Sequence, residues 1–334
     1  MPAGLGGSGY VAWVLETTKG TYLDPSTAGA LFIPIIEESL AYTEDKYLSP
    51  QIRQQVIISD AKPSYYHVEG DITLEVDPAF MPHILYCSRH TIVKTGAGPF
   101  TYKFTPSAAG ATSTAASGAV QRTASIGIIR NGIGFGYAGC TVTGYEFTIE
   151  DGVLRVTLNI IGESEATPAA LGTPTWSAPN LYGADTKAVF VDTAGAAPAF
   201  ASPDLNFNGF TWRSNHNAEA QNRITTSRSA QYVSFGETEH SYETELDFTS
   251  KTEYDNFKAT TFRAIQLRSL HGGATLAAAT DGVQLTTYRS FYETYEVGLS
   301  GMADLIMAGV TGRGIVQTGG DAYSIEVKSA VSIA

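Results

Sequence analysis

Apolar and polar residues alternate along much of the chain with the period of two that marks a strand exposed on one face. From His67 to Asp77, Val68, Ile72, Leu74 and Val76 fall on one side, and Glu69, Asp71, Thr73, Glu75 and Asp77 on the other. A second run begins at Val153, where Leu154, Val156, Leu158 and Ile160 oppose Arg155, Thr157 and Asn159. It follows Asp151-Gly152 at the end of another strand, and Asp-Gly between alternating runs predicts a hairpin. A short helix is predicted after the first run. Asp77 caps it, Pro78 takes the first helical position, and Phe80, Met81, Ile84 and Leu85 share a face.

The plan recurs. Shifted by 170, Gln51, Arg53, Ser59, Ser64, Glu69, Glu75 and Asp77 fall on identical residues, Gln221 to Asp247, while Leu40 falls on Phe210 and Tyr42 on Trp212. Those seven identities over residues 38–77 compare with roughly two or three expected from composition alone. A second helix is predicted where Thr249 or Ser250 caps a segment carrying Tyr254 and Phe257. Further on the shift becomes 150: Tyr145-Glu146 falls on Tyr295-Glu296, and Val156, Ile160 and Gly162 fall on Ile306, Val310 and Gly312. The lost length is assigned to the Gly/Ala/Ser/Thr-rich stretch 107–120, which has a shorter counterpart at 271–282. The expected organisation is a first domain, 1–165, an Ala/Pro/Gly-rich linker, 166–204, and a duplicated second domain, 205–334.

Composition narrows the chemistry. Charged residues are only 16% of the chain, which hints that much surface is covered by partners. The net charge of −12 argues against a grip on nucleic acid, though not against repelling it. Cys87 and Cys140 lack the spacing of a zinc site and read as buried free thiols. No metal and no cofactor is expected. Neither a signal peptide nor a membrane-spanning run is legible, so the chain reads as made in a reducing cytoplasm. Gly132, Gly134, Gly136 and Gly139 lack the strand-then-helix setting of a phosphate loop and read as a bulged strand or close backbone packing. His67, His83, His90, His216, His240 and His271 are scattered singly, without a nucleophile elbow, so no catalytic residue is assigned. Most aromatics follow the strand alternation, as core residues do.

The acids form rows: Glu69, Asp71, Glu75 and Asp77 in one half, and Glu237, Glu239, Glu243, Glu245 and Asp247 in the other. A straight strand is the wrong scaffold for a calcium loop, since same-face residues step by ~6.8 Å. A solvated face and a face lining an acidic channel both fit the rows.

The order of segments resembles the phage tail tube proteins of long-tailed bacteriophages. The resemblance rests on Gly9-Tyr10-Val11-Ala12, Glu16-Thr17-Thr18-Lys19-Gly20-Thr21, Phe32-Ile33-Pro34-Ile35 with Glu38-Ser39-Leu40, Glu69 to Asp77, and Tyr137-Ala138-Gly139-Cys140 with Gly162-Glu163. It is carried best by residues 9–165. It implies a mainly-β fold, with two duplicated β-sandwich or split-barrel domains that each bear one short helix and lend strands to a barrel between subunits. It implies a structural, non-enzymatic role: copies close into rings, here trimers of two domains each, and the rings stack into a tube through which DNA passes. The implied partners are the chain itself, a tape measure protein and tail-end proteins, and the implied location is the virion tail, assembled in the host cytoplasm. On this reading Glu69, Asp71, Glu75, Asp77, Glu239, Glu243, Glu245 and Asp247 face the lumen. Segments 43–66 and 213–234 are arms toward neighbours, where Arg53 and Arg223 pair with carboxylates. The alternatives are another self-assembling phage or secretion-system β-protein, such as a contractile inner tube or a decoration protein, and a carbohydrate-binding fibre module.

Overall fold

The structure, a computed structural model, describes residues 9–26, 29–49, 61–107, 113–115, 118–120, 122–168, 172–176, 187–204, 207–298, 306–317 and 320–333. It is mainly β, and its named strands pair antiparallel. The first half holds β1 (Tyr10–Leu15), β2 (Leu31–Ile33), β3 (Glu37–Glu38), β4 (Ala41–Leu48), β5 (Ala61–Glu75), helix α1 (Met81–Tyr86), β6 (His90–Thr95), β7 (Phe100–Pro106), β8 (Ser113–Ala115), β9 (Gly118–Val120), β10 (Ala124–Arg130), β11 (Ile133–Glu150), β12 (Val153–Gly162) and β13 (Ser164–Ala166). The second holds β14 (Lys187–Thr193), β15 (Phe207–Asn215), β16 (Ala218–Gln221), β17 (Tyr232–Phe235), β18 (Glu239–Asp247), helix α2 (Thr252–Lys258), β19 (Arg263–His271), β20 (Asp281–Val297), β21 (Met307–Gly314) and β22 (Tyr323–Ser329).

The predicted hairpin is β11–β12. Asp151 and Gly152 turn with φ of 49° and 72°, the geometry that matches the twist of the flanking strands. Leu154, Val156, Leu158 and Ile160 are buried, as are Val68, Ile72, Leu74 and Val76 on β5. The glycine-rich run is the start of β11. Asn131 and Gly132 form its turn with positive φ, and at Gly136 a Cβ would stand 2.8 Å from the Tyr22 ring.

Helix α1 begins later than its sequence signals. Asp77 Oδ1 accepts the Ala79 N–H at 2.8 Å, and the Asp77 carbonyl accepts from Phe80 and Met81. A turn therefore precedes the helix, and Pro82 rather than Pro78 lies in its first turn. In the second half the N-cap position of α2 is Lys251 rather than Thr249 or Ser250; the Ser250 hydroxyl accepts the Thr252 N–H at 3.4 Å, and Tyr254 and Phe257 of α2 pack on Tyr295 at 5.8 and 6.1 Å.

The two halves share a register, marked by matching bulges. β11 slips against β12 between Val142 and Gly144, and β20 slips against β21 between Tyr292 and Thr294. β10 slips between Ala124 and Ile126, and β19 between Arg263 and Ile265. Ile160 faces Val142 as Gly312 faces Tyr292. Ile160 also faces Gly70 as Gly312 faces Tyr242, so Glu75 corresponds to Asp247. Sequence identity instead aligned Glu75 with Glu245, and Ile160 with Val310, two residues away in each case. A slip of two leaves every side chain on its own face, so the apolar pattern could not distinguish these alignments.

β11 and β20 each serve two sheets. The first parts of these strands join β2–β1–β10–β11–β13 and β14–β19–β20–β22–β7–β6. Their last parts join a long sheet in the order β4–β5–β12–β11–β15–β18–β21–β20. The halves are interlocked rather than tethered. β14 lies within the stretch read as a linker and pairs with β19. β7 of the first half pairs with β22 of the second, where the Tyr102 hydroxyl accepts the Ile333 N–H at 2.9 Å. The extra length of the first half is the β6–β7 hairpin together with β8–β9, inserted where α2 instead leads almost directly into β19. A single apolar cluster consequently runs from Val11 to Ile333.

Candidate functional site: one polar face and two open strand edges

Residues directly opposite on neighbouring strands share a face, so the long sheet can be followed across its ladder. Glu75 faces Arg155, then Thr148, Thr211, Glu243, Thr311 and Thr294. Asp71 faces Asn159, then Gly144, Asn215 and Glu239. Glu69, Asp71 and Glu75 therefore lie on the same face as Glu239, Glu243, Glu245 and Asp247. All seven are exposed or half-buried. Asp77 is different: it is 8% exposed, because the chain has left the strand and its carboxylate serves the turn before α1.

The face holds groups that sequence reading had not singled out. Threonine hydroxyls meet across strand pairs, Thr73 with Thr157 at 3.0 Å, Thr148 with Thr211 at 3.2 Å and Thr294 with Thr311 at 2.7 Å. Its arginines are held by carboxylates. Arg155 pairs with Glu150, Arg313 with Glu293 at 2.7 Å, and Arg213 with both Glu146 at 2.5 Å and Glu243 at 2.6 Å. Opposed positions on an alternating strand carried this signal, but partners distant in sequence are needed to read it.

Arg213 also marks the seam where the halves meet. There β11 pairs with β15: Tyr145 faces Ser214, Glu146 faces Arg213 and Phe147 faces Trp212. Behind the seam is a buried aromatic and polar cluster. Trp212 stacks on Tyr145 at 5.9 Å and donates Nε1–H to Thr287 at 3.0 Å. The Tyr323 hydroxyl meets those of Tyr145 and Ser214, each at 2.9 Å. Three of the scattered histidines converge here. His90 Nε2 lies 2.9 Å from the Tyr145 hydroxyl, His216 Nε2 3.0 Å from that of Ser88, and His240 Nε2 2.6 Å from that of Thr287. Burial disfavours their charged forms. It lowers His90 to about 3 and His240 to about 4, and holds His216 well below the usual histidine range. They are neutral members of the core.

The expected arms are also visible in part. Arg53 lies outside the described residues. Arg223 stays within its own arm, donating to the Tyr232 hydroxyl at 2.5 Å, and the arm's ion pair is instead Arg228 with Glu44. Loop residues after β16 run beside β5, where the Tyr66 N–H donates to the Arg228 carbonyl and the Ala230 N–H to the Tyr66 carbonyl, both at 3.0 Å.

Among the described residues, two edges of the long sheet have no strand beside them: the outer side of β3 and β4, and the side of residues 294–297 in β20 away from β21. Exposed Ile36 and Tyr42 lie at the first edge, and Val297 at the second. Among the described residues no cluster of His, Cys, Asp or Glu could hold a metal, and no helix is long and apolar enough to cross a membrane. Residues 6–329 match the family model described as phage tail tube protein. No curated protein matches the chain.

Proposed function

Because the chain belongs to the phage tail tube protein family, we propose that it is the duplicated subunit of a long-tailed phage tube, closing in threes into rings whose stacked polar faces conduct DNA. As a family member it is a structural component of the virion tail that assembles with copies of itself. The trimer and the conduction of DNA are what the proposal adds.

One observation carries the reading. A single polar face crosses both halves without interruption, and Glu69, Asp71 and Glu75 of one row lie on it with Glu239, Glu243, Glu245 and Asp247 of the other. A conduit for DNA needs a surface that phosphates do not adhere to, because each free Lys or Arg at a phosphate adds salt-dependent affinity. On this face the arginines are already paired, hydroxyls bond to one another, and the six acids other than Glu243, which Arg213 holds, add repulsion. The two halves lie side by side in one sheet, so three chains supply six similar repeats around a ring.

The test replaces Glu75 and Glu245 by lysine. Tubes should still form, as seen by negative-stain microscopy, and DNA release should slow, most strongly at low ionic strength. Intact tubes with unchanged release at every salt concentration would remove these positions from the lumen.

A further inference from the structure

We propose that the β11–β15 seam inside each chain is the template for the contact between chains: the β4 edge of one copy adds to the β20 edge of the next, with Ala41 opposite Glu296 and Tyr42 opposite Tyr295. The proposal rests on the ring-forming reading above and specifies its interface.

The register follows from the duplication. The matching bulges make Tyr145 the counterpart of Tyr295, and Glu146 that of Glu296. Val68 faces Tyr42 and its counterpart His240 faces Ser214, so Tyr42 corresponds to Ser214 and Ala41 to Arg213. Within the chain, Tyr145 faces Ser214 and Glu146 faces Arg213. Carrying the same pairing to the next copy sets Tyr295 against Tyr42 and Glu296 against Ala41. Among the described residues these are the two edges of the long sheet that lack a neighbour. Unpaired edge strands are templates for pairing, and a contact between two different edges closes into a ring when its rotation allows.

The arms supply an independent observation. The β16–β17 hairpin corresponds to the outer part of β4–β5, since Ala218 faces Phe235 as Lys46 faces Pro63. The second-half arm docks on the first half: the loop after β16 bonds to Tyr66, and Lys19 Nζ donates to the Gln231 carbonyl at 2.9 Å. The counterpart of Tyr66 is Thr238. It lines an open cleft of about 580 Å³ with Glu237, Glu239, Arg313 and Val316. The first-half arm shows exposed Tyr47, Leu48 and Tyr65. Among the described residues, a cleft without an arm and an arm without a cleft, at corresponding places, both call for a second copy of this chain.

The test is a disulfide across the joint. Opposed β-carbons stand about 4.5–5.5 Å apart and diagonal ones about 7–8 Å, and only the first spacing suits the bond. Tubes of Ala41→Cys/Glu296→Cys, oxidised after assembly, should give two- and three-chain bands on a denaturing gel and stop at three. Ala41→Cys/Thr294→Cys, out of register by two, should link at least tenfold less. Cys87 and Cys140 are buried and give little background. Should the double variant fail to assemble under reducing conditions, mixing Ala41→Cys chains with Glu296→Cys chains should yield two-chain bands alone. Tubes that link equally well out of register, or not at all at these positions, overturn the proposed joint and leave the tube reading standing. If the unmodified chain forms neither rings nor tubes, the tube reading itself fails.

Discussion

The seam within the chain and the edges at its two ends are built from corresponding strands, yet their chemistry differs. The inner seam is closed on its polar side by Arg213, which bridges Glu146 and Glu243. It is closed on its core side by Trp212, Tyr145, Tyr323 and three neutral histidines. At the open edges, Ala41 stands where Arg213 does, and Tyr42 where Ser214 does. Covalent continuity made the inner seam a permanent part of the core, with polar groups that can be buried only when each finds a partner. An edge exposed in the free subunit cannot carry such a cluster, since its polar groups would have to be desolvated at every association. Beside separately solvated charges such as Glu37 and Glu296, it presents backbone, tyrosine and aliphatic surface.

The comparison can be broken most forcefully at Trp212. Trp212→Ala should cost about 3–5 kcal/mol by emptying a filled core, read as a large drop in Tm. A small drop would mean that the halves are held chiefly by the β7–β22 pairing. Acid comes next. His90, His216 and His240 have lowered values when folded, so the unfolded chain binds more protons below its ordinary histidine range. Their contribution is therefore fully present above pH ~6.5. It falls as pH drops toward about 4 for His240 and about 3 for His90, with a slope of about 1.4 kcal/mol per pH unit for each histidine. Thermal melts from pH 7.5 to 4.5 should show this decline, and an uncharged replacement of His240 should make it shallower.

A finer contrast lies between the acid that follows β5 and the acid that ends β18. Asp77→Ala removes the acceptor for the Ala79 N–H and should cost about 1 kcal/mol. Asp247, half-buried and bonded to Asn208 Nδ2 at 2.5 Å, should cost less when replaced by alanine, within about 0.5 kcal/mol. Equal losses would show that both carboxylates do the same work. The smallest effect on the single chain, and the most direct on the joint, is expected from Ala41→Arg. It restores at the open edge the residue that closes the inner seam, opposite Glu296 of the next copy. The subunit's Tm should stay within about 0.5 kcal/mol equivalent, while tubes should form at lower protein concentration, an advantage that added salt removes. Assembly unchanged or weakened would count against that pairing.

The sequence by itself determined much of the strand pattern, because burial of one face writes a period of two that needs no distant partner: β5 from His67 onward and the β11–β12 hairpin were legible, while the start of β5 at Ala61 falls within an expected arm. It also carried seven identities at a shift of 170, the segment order of a tail tube protein and the alternation of the acid rows. The start of α1 escaped because Asp77 and Pro78 are equally good signals for the turn that precedes it. The register of the repeat escaped because a two-residue slip conserves every face. The joining of acids from both rows, without Asp77, into one surface, the pairing of Arg213 with Glu146 and the convergence of His90, His216 and His240 were decided only by tertiary structure. Each depends on strands far apart in the chain becoming neighbours, and the alternation within a strand states which face a residue takes but not which strand lies beside it.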